Sequence, residues 1–171
     1  GEVVGVHKVI FLRQTDGDLE HTRALRKRLV RVMREVRPDV VLSQDPGNQL
    51  FDSFGRFHRD HRVTAEAVFD ALYPAVGSAG FFPELAEEDI LPHQIEEVWF
   101  YGTDRPNMFV DIGKTIDKKI EALRQHRSQI HDLEGVNTRI RERARDACLM
   151  AARAGKKKRM KYAETFRRLT F

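Results

Sequence analysis

The 171-residue chain is 41% hydrophobic, enough for an ordinary core, and no apolar run approaches the ~20 residues that cross a bilayer. Its single cysteine, Cys148, excludes an intrachain disulfide and, with no basic-then-apolar signal at the start, points to the cytoplasm. The net charge of +4 hides an asymmetry: residues 139–171 hold 12 Lys and Arg against 3 Asp and Glu, so a mildly acidic body carries a basic C-terminal segment.

In chain order, Glu2 to Gly5 reads as a helix end with no start signal of its own. The chain is therefore expected to begin partway through a fold. Val9 to Leu12 forms a short apolar strand, and Asp16-Gly17-Asp18 is a turn composition. Thr22 is the expected N-cap of a helix that turns Leu25, Leu29, Val32, Met33 and Val36 inward. Arg23, Arg26, Lys27, Arg28, Arg31 and Arg34 then form its solvated outer face, and Pro38 ends it. A strand over 40–44 follows, closed by Asp45-Pro46-Gly47.

A polar loop leads to His58-Arg59-Asp60-His61, and a helix over 61–73 puts Val63, Ala67, Val68, Ala71 and Leu72 on one face. Residues 77–94, rich in Gly, Pro and acidic side chains, read as a long loop with Phe81 and Phe82 exposed, a lid or an oligomer contact. Strands are expected over Ile95 to Tyr101 and Met108 to Ile112. Asp111 is the expected cap of a helix with Ile112, Ile116, Ile120, Leu123 and Ile130 inside. Residues 136–154 are helical in composition. Lys156 to Lys161 is a basic run, and Tyr162 to Phe171 is a short amphipathic segment docking through Tyr162, Phe166 and Leu169. Alternating strands and helices argue for an α/β fold with a parallel sheet. The division expected is a core over 1–135 and a basic helical extension over 136–171 packed on it.

The chemistry is expected at the C-terminal edge of strand 40–44, where open α/β sheets bind ligands. His58, Asp60 and His61 bring two imidazoles and a carboxylate into four residues. Neutral imidazole is the commonest metal ligand, and a nearby carboxylate can orient it. A catalytic zinc takes three protein ligands, so the others must come from another strand end. The plainer reading is a polar loop with Asp60 favoured at a helix N-terminus. His126 reads equally as a site residue and as a helix-end histidine, Trp99 as core, and Cys148 as packing. The Lys156 to Lys161 run could contact nucleic acid or anionic surfaces, but no aromatic platform or nucleic-acid motif accompanies it.

Arg37-Pro-Asp-Val-Val-Leu, His58-x-Asp60-His61 and Ala67-Val-Phe-Asp-Ala-Leu resemble the LmbE/PIG-L family of zinc-dependent N-deacetylases. Val9-Ile-Phe-Leu with Asp16 to Leu19, Val98-Trp-Phe-Tyr, Val110-Asp-Ile, His126 and Tyr162-Ala-Glu-Thr-Phe extend that resemblance over nearly the whole chain. The resemblance implies a Rossmann-like three-layer sandwich with a mostly parallel sheet whose N-terminal strands are missing. It implies an enzyme that removes an N-acetyl group from an N-acetylated sugar or glycoconjugate, with no membrane or nucleic-acid partner and with a homo-oligomer left open. By resemblance His61 binds zinc, while His58 and Asp60 sit around the reacting amide, polarising it, handling a proton or holding an imidazole. Arg59 stands where the family has Pro. The family's other motif, Ala-His-Pro-Asp-Asp-x-Glu, which supplies two zinc ligands and the base, is absent from the 171 residues. The resemblance therefore implies a C-terminal portion, inactive alone; a non-catalytic remnant or a binding module using the basic segment is the alternative.

Overall fold

The computed structural model describes residues 1–51, 57–156 and 160–171. They divide into two compact units, residues 1–11 with 108–165, and residues 12–107 with 166–171.

The larger unit is built on helix α1 (Arg23–Val36), strand β1 (Val40–Gln44), helix α2 (Arg59–Asp70), a short helix α3 (Glu84–Glu87) and strand β2 (Glu97–Tyr101). Thr22 caps α1 as its position predicts: its hydroxyl accepts from the Leu25 amide at 3.1 Å. Arg37, in the left-handed region at φ 52°, closes the helix just before Pro38. Strand β1 runs parallel to β2 in the register Val40 to Glu97 through Gln44 to Tyr101. The core is Val30 and Met33 of α1, Val68 of α2, Leu72, Leu85, and Val98 and Phe100 of β2. After α2 the chain makes one wide helical turn, Ala71–Ala75. Tyr73 is extended within it, before the cis peptide to Pro74, because proline's ring excludes the helical region for the residue it follows.

The charged stripe of α1 is only in part a solvated face: Arg23 and Arg28 are exposed, but the stripe also has partners. Arg23 lies over the Phe82 ring at 4.8 Å, Lys27 pairs with Glu84 at 2.9 Å, and Arg31 pairs with Glu88 at 2.6 Å. Arg34 is 3% exposed and donates to the carbonyls of Ala75, Val76, Ser78 and Phe81 at 2.9–3.1 Å. These residues recur every three or four positions, so they share one side of the helix and zip it to the segment 75–88. The stretch expected as a loose loop is thereby folded down. It contains α3 and buries Phe82 at 4% exposure, while Phe81 stays at 43%. Desolvation pushes the Arg34 guanidinium below its ordinary pKa, and four carbonyl acceptors compensate its burial.

The smaller unit holds strand β3 (Met108–Asp111), helix α4 (Ile116–Arg124) and helix α5 (Leu133–Arg153) around Ile112, Ile116, Ile120, Ala144 and Tyr162. Asp111 does not cap α4. Its carboxylate accepts from the Gly113 amide at 2.9 Å, and Thr115 occupies the cap position without a side-chain bond to the helix amides. Asp132 caps α5 instead, accepting from the Gly135 amide.

Two strand expectations change. The closing segment is not a docked amphipathic tail but strand β4 (Ala163–Thr170), which spans the division between the units. Its second half pairs antiparallel with β2, Glu97 opposite Thr170 through Phe100 opposite Arg167. Strand β2 thus pairs parallel with β1 and antiparallel with β4, so a mixed α/β fold replaces the expected mostly parallel sheet. Residues 9–12 form no strand, and Val9 and Phe11 are 59% and 69% exposed. A β-branched, aromatic run becomes a strand only where a neighbouring backbone completes its ladder, and none does so among the described residues. No described helix is long and apolar enough to cross a membrane.

Arg34→Ala strands the buried Ala75 and Val76 carbonyls, loses the bonds to Ser78 and Phe81, and is expected to cost about 3 kcal/mol in urea denaturation. Arg34→Lys should recover only part of it, because an ammonium cannot reproduce the guanidinium fork. A loss below about 1 kcal/mol for the alanine variant would show that α1 does not brace segment 75–88.

Candidate functional site

The His58–His61 motif forms the start of α2. His58 is the N-cap: its Nδ1 accepts from the Asp60 amide at 3.3 Å, while its carbonyl accepts from the His61 and Arg62 amides. With Nδ1 accepting, a neutral ring carries its proton on Nε2, which has no hydrogen-bond partner among the described residues. The side chain is half exposed. The His61 ring lies 5.8 Å from the His58 ring, inclined by 61°, and is also exposed. Two imidazoles therefore stand side by side at the positive end of a helix.

Asp60 does something the motif alone does not disclose. One oxygen accepts from the Gly17 amide at 2.6 Å and the other from the Leu19 amide at 3.2 Å. Gly17 adopts φ +81°, a conformation that side-chain-bearing residues avoid, and this turns its amide toward the carboxylate. The turn composition Asp16-Gly17-Asp18 thus serves as a two-amide cradle for a residue 43 positions away. The Gly17 bond first, then the Leu19 bond and the neighbouring His58, hold the Asp60 carboxyl below the usual carboxylate range, against partial desolvation. Beneath the cradle, Leu19, Leu25 and Ala67 form a small apolar cluster joined by Leu12, Leu29 and Val63.

On the other side of the motif, Arg62 donates to the Phe57 carbonyl and lies 5.7 Å from the Phe51 ring, which in turn packs against the buried Phe57 at 4.9 Å. Part of the expected polar loop, residues 52–56, lies outside the described residues. Asp70, at the far end of α2, is shared by His21 at 3.4 Å and Arg26 at 3.1 Å. His93 bonds the Pro38 carbonyl through Nε2 at 2.9 Å. His93, without an evident partner in the sequence, therefore has a structural one, while His21 stands near Asp70 without a hydrogen bond to it.

The remaining sequence candidates have settings of their own. Trp99 donates its indole N–H to Glu97 at 2.6 Å and packs against Phe166. Cys148 donates to the Ala144 carbonyl, and burial pushes its thiol pKa up, which fits packing rather than nucleophilic chemistry. His126 is exposed in the turn after α4. A cleft of about 400 Å³ in the larger unit opens beyond the other end of α2, between Leu72, Tyr73, Pro74, Gly77, Gln94 and Phe171, not beside the histidines.

Residues 1–72 match the family model described as PIG-L: GlcNAc-PI de-N-acetylase. A diacetylchitobiose deacetylase of Thermococcus kodakarensis is 39% identical over 132 residues, an alignment covering 75% of this chain and 46% of that protein. The chain thus spans about half the length of the curated relative it matches. The structure of an N,N'-diacetylchitobiose deacetylase from Pyrococcus horikoshii, in complex with an inhibitor, superposes on 99% of this chain and 60% of that one, at a TM-score of 0.78 and 26% identity. The 4-carboxy-2-hydroxymuconate hydratase GalB of Pseudomonas putida superposes at a TM-score of 0.72 and 21% identity, covering 99% of this chain and 68% of that one; it shares the fold.

The Asp60 cradle makes a prediction with a definite pH sign. A carboxylate held below its unfolded pKa stabilises the fold fully above about pH 4 and loses that contribution as pH falls through its lower folded value. In urea denaturation Asp60→Asn should therefore be less stable than the parent at neutral pH, with the gap constant down to about pH 4 and closing below it. A gap already closed at neutral pH would mean that the Gly17 and Leu19 bonds contribute nothing.

Proposed function

We propose that this chain, whose sequence and fold match those of PIG-L/LmbE-family deacetylases, contributes part of the active site of a zinc-dependent enzyme that hydrolyses the N-acetyl group of an N-acetylated sugar or glycoconjugate. The observation that carries the reading is the adjacent pair of exposed imidazoles, His58 and His61, fixed at the start of α2 by the Asp60 cradle. The fold alone would not select this chemistry, since a hydratase shares it. The sequence similarity to a named deacetylase, running through the histidine motif's region, favours amide hydrolysis.

In this reading His61 is a metal ligand. Among the described residues no group of three or more His, Cys, Asp or Glu stands close enough to hold a metal, so these residues do not by themselves fit a complete zinc site. The other ligands and the general base are proposed to come from outside them.

What this chain's own residues contribute is orientation and charge stabilisation. Hydrolysis adds water to the acetyl carbonyl carbon, places negative charge on its oxygen, and breaks the carbon–nitrogen bond to give acetate and a free amine. His58, with Nδ1 occupied by the Asp60 amide, presents Nε2–H as a fixed donor to that oxygen, the preorganised arrangement that stabilises developing charge. Asp60 acts through position: both its oxygens are engaged by backbone amides, so it anchors the helix start.

The binding-module reading draws less support. In the basic segment Arg139 pairs with Asp132 and Arg141 with Asp117, while Lys157, Lys158 and Arg159 lie outside the described residues.

The test is acetate release from N,N'-diacetylchitobiose by the protein carrying these residues at its full natural length. His61→Ala should abolish release and bound zinc together. His58→Ala should keep the zinc and lower kcat by roughly 10²–10³-fold, as loss of one oxyanion donor does. A folded, zinc-loaded protein that releases no acetate from any N-acetylated sugar would sink the reading.

A further inference from the structure

The cleft beyond the far end of α2 takes no part in the chemistry proposed for the histidine pair. At about 1.5 Å per residue, the 12 residues of α2 hold the two roughly 18 Å apart, so one sugar ring cannot touch both. Its volume, about 400 Å³, is that of a small-molecule site. Buried Leu72, Val76 and Ile95 give it an apolar lining. Tyr73 and Phe171 line it with largely exposed rings, 6.4 Å apart and inclined by 23°. The Phe171 amide donates to the Glu96 carbonyl at 3.1 Å, which carries the pairing of β4 with β2 one residue further and seats that ring beside Tyr73.

The cleft also holds a polar side chain with nothing to bind. A β-carbon at Gly77 would stand 2.9 Å from Nε2 of Gln94 and 3.2 Å from its Oε1, so the Gln94 amide lies against a position that glycine leaves open. No hydrogen bond among the described residues engages that amide. The main chain of the same wall is already engaged. The carbonyls of Ala75, Val76 and Ser78 accept from Arg34, and that of Val76 accepts also from the His93 amide. Recognition therefore falls to side chains, which disfavours an extended peptide, whose own backbone needs main-chain partners. None of the lining side chains is charged, so an ionic ligand would meet no counter-charge.

A neutral ligand with an apolar face and a hydroxyl edge meets all these conditions. A pyranose with equatorial hydroxyls is such a molecule. Its axial C–H bonds make one face apolar and faintly positive, which suits the negative face of an aromatic ring. Its adjacent hydroxyls want an acceptor and a donor side by side, which one primary amide supplies. We infer that the cleft binds a neutral pyranose of a glycan, stacked on Tyr73 with adjacent hydroxyls on the Gln94 amide, as a second sugar site apart from the histidine pair. This binding does not depend on the amide hydrolysis proposed for that pair.

The test is saturation-transfer NMR with cellobiose, a neutral disaccharide without an acetyl group, on the protein at its full natural length. Saturable binding is expected in the parent and in His61→Ala alike, with the strongest transfer to the protons of one sugar face. Tyr73→Ala and Gln94→Ala, both at exposed positions, should each weaken it about 10-fold or more. Gly77→Ala should do the same, because its methyl group meets only the far end of the Gln94 side chain, so the amide moves while the backbone stays. Binding lost in folded His61→Ala would put the sugar at the histidines, and binding unchanged in the three cleft variants would put it elsewhere; either overturns the site. A proline-rich peptide that binds the cleft where cellobiose does not would overturn it too. Acetate release reads the histidine pair separately: release without cellobiose binding sinks this site alone, and cellobiose binding without release leaves it standing.

Discussion

The placement of the histidine pair depends on one carboxylate meeting two amides. Asp60 sits in the first turn of α2, where its charge already suits the helix dipole, yet its oxygens are spent on Gly17 and Leu19. That contact closes a long loop. It brings the turn before α1 onto the start of α2 and presses Leu19 into the cluster with Leu25 and Ala67. The positions of His58 and His61 are therefore set by a residue between them that is bound to the scaffold. Within one short motif, two side chains face solvent and the third is anchored in the scaffold.

The larger unit is held along two lines running from α1. Asp70 of α2 gathers His21 and Arg26, while the stripe Arg23, Lys27, Arg31 and Arg34 descends on the segment 75–88. The surface pairs on that stripe contribute little each, because exposed ion pairs are screened and cost side-chain entropy. Arg34 differs because it is itself buried and two of its four carbonyl partners, those of Ala75 and Val76, are buried with it. Those acceptors have no water to fall back on. The segment consequently owes its shape to one guanidinium more than to its own sequence, which is rich in glycine, proline and acidic residues.

Local signals carried much of this fold. Thr22 ahead of an apolar-periodic run disclosed α1 and its cap, and Val40 to Gln44 bounded by Pro38 and Pro46 disclosed β1. The helix after the histidine motif and the third and fourth expected strands also stand close to where periodicity put them. What failed was non-local. Val9 to Leu12 has strand composition but no ladder, and Ala163 to Thr170 has a mixed pattern yet pairs with β2. Arg34 occupies a position that charge alone assigns to solvent, and only the carbonyls more than 40 residues away make its burial tolerable. Of the site, the histidine pair was legible because the residue types are rare and adjacent. The cradle for Asp60 was not, since an Asp-Gly-Asp turn explains itself without a distant partner.

The cleft beyond α2 inherits an asymmetry from Arg34. One wall, the backbone around Val76 to Ser78, is tied to α1 through the guanidinium. The facing wall is a pair of stacked rings, Tyr73 and Phe171, 65% and 57% exposed and 6.4 Å apart. Stiffness is thus one-sided. Any widening or narrowing of the cleft falls to two aromatic side chains that can swing on single bonds, while the opposite surface stays a fixed template. A rotamer change at Tyr73 would reshape the opening on the nanosecond scale of exposed side chains, with no helix or strand having to move.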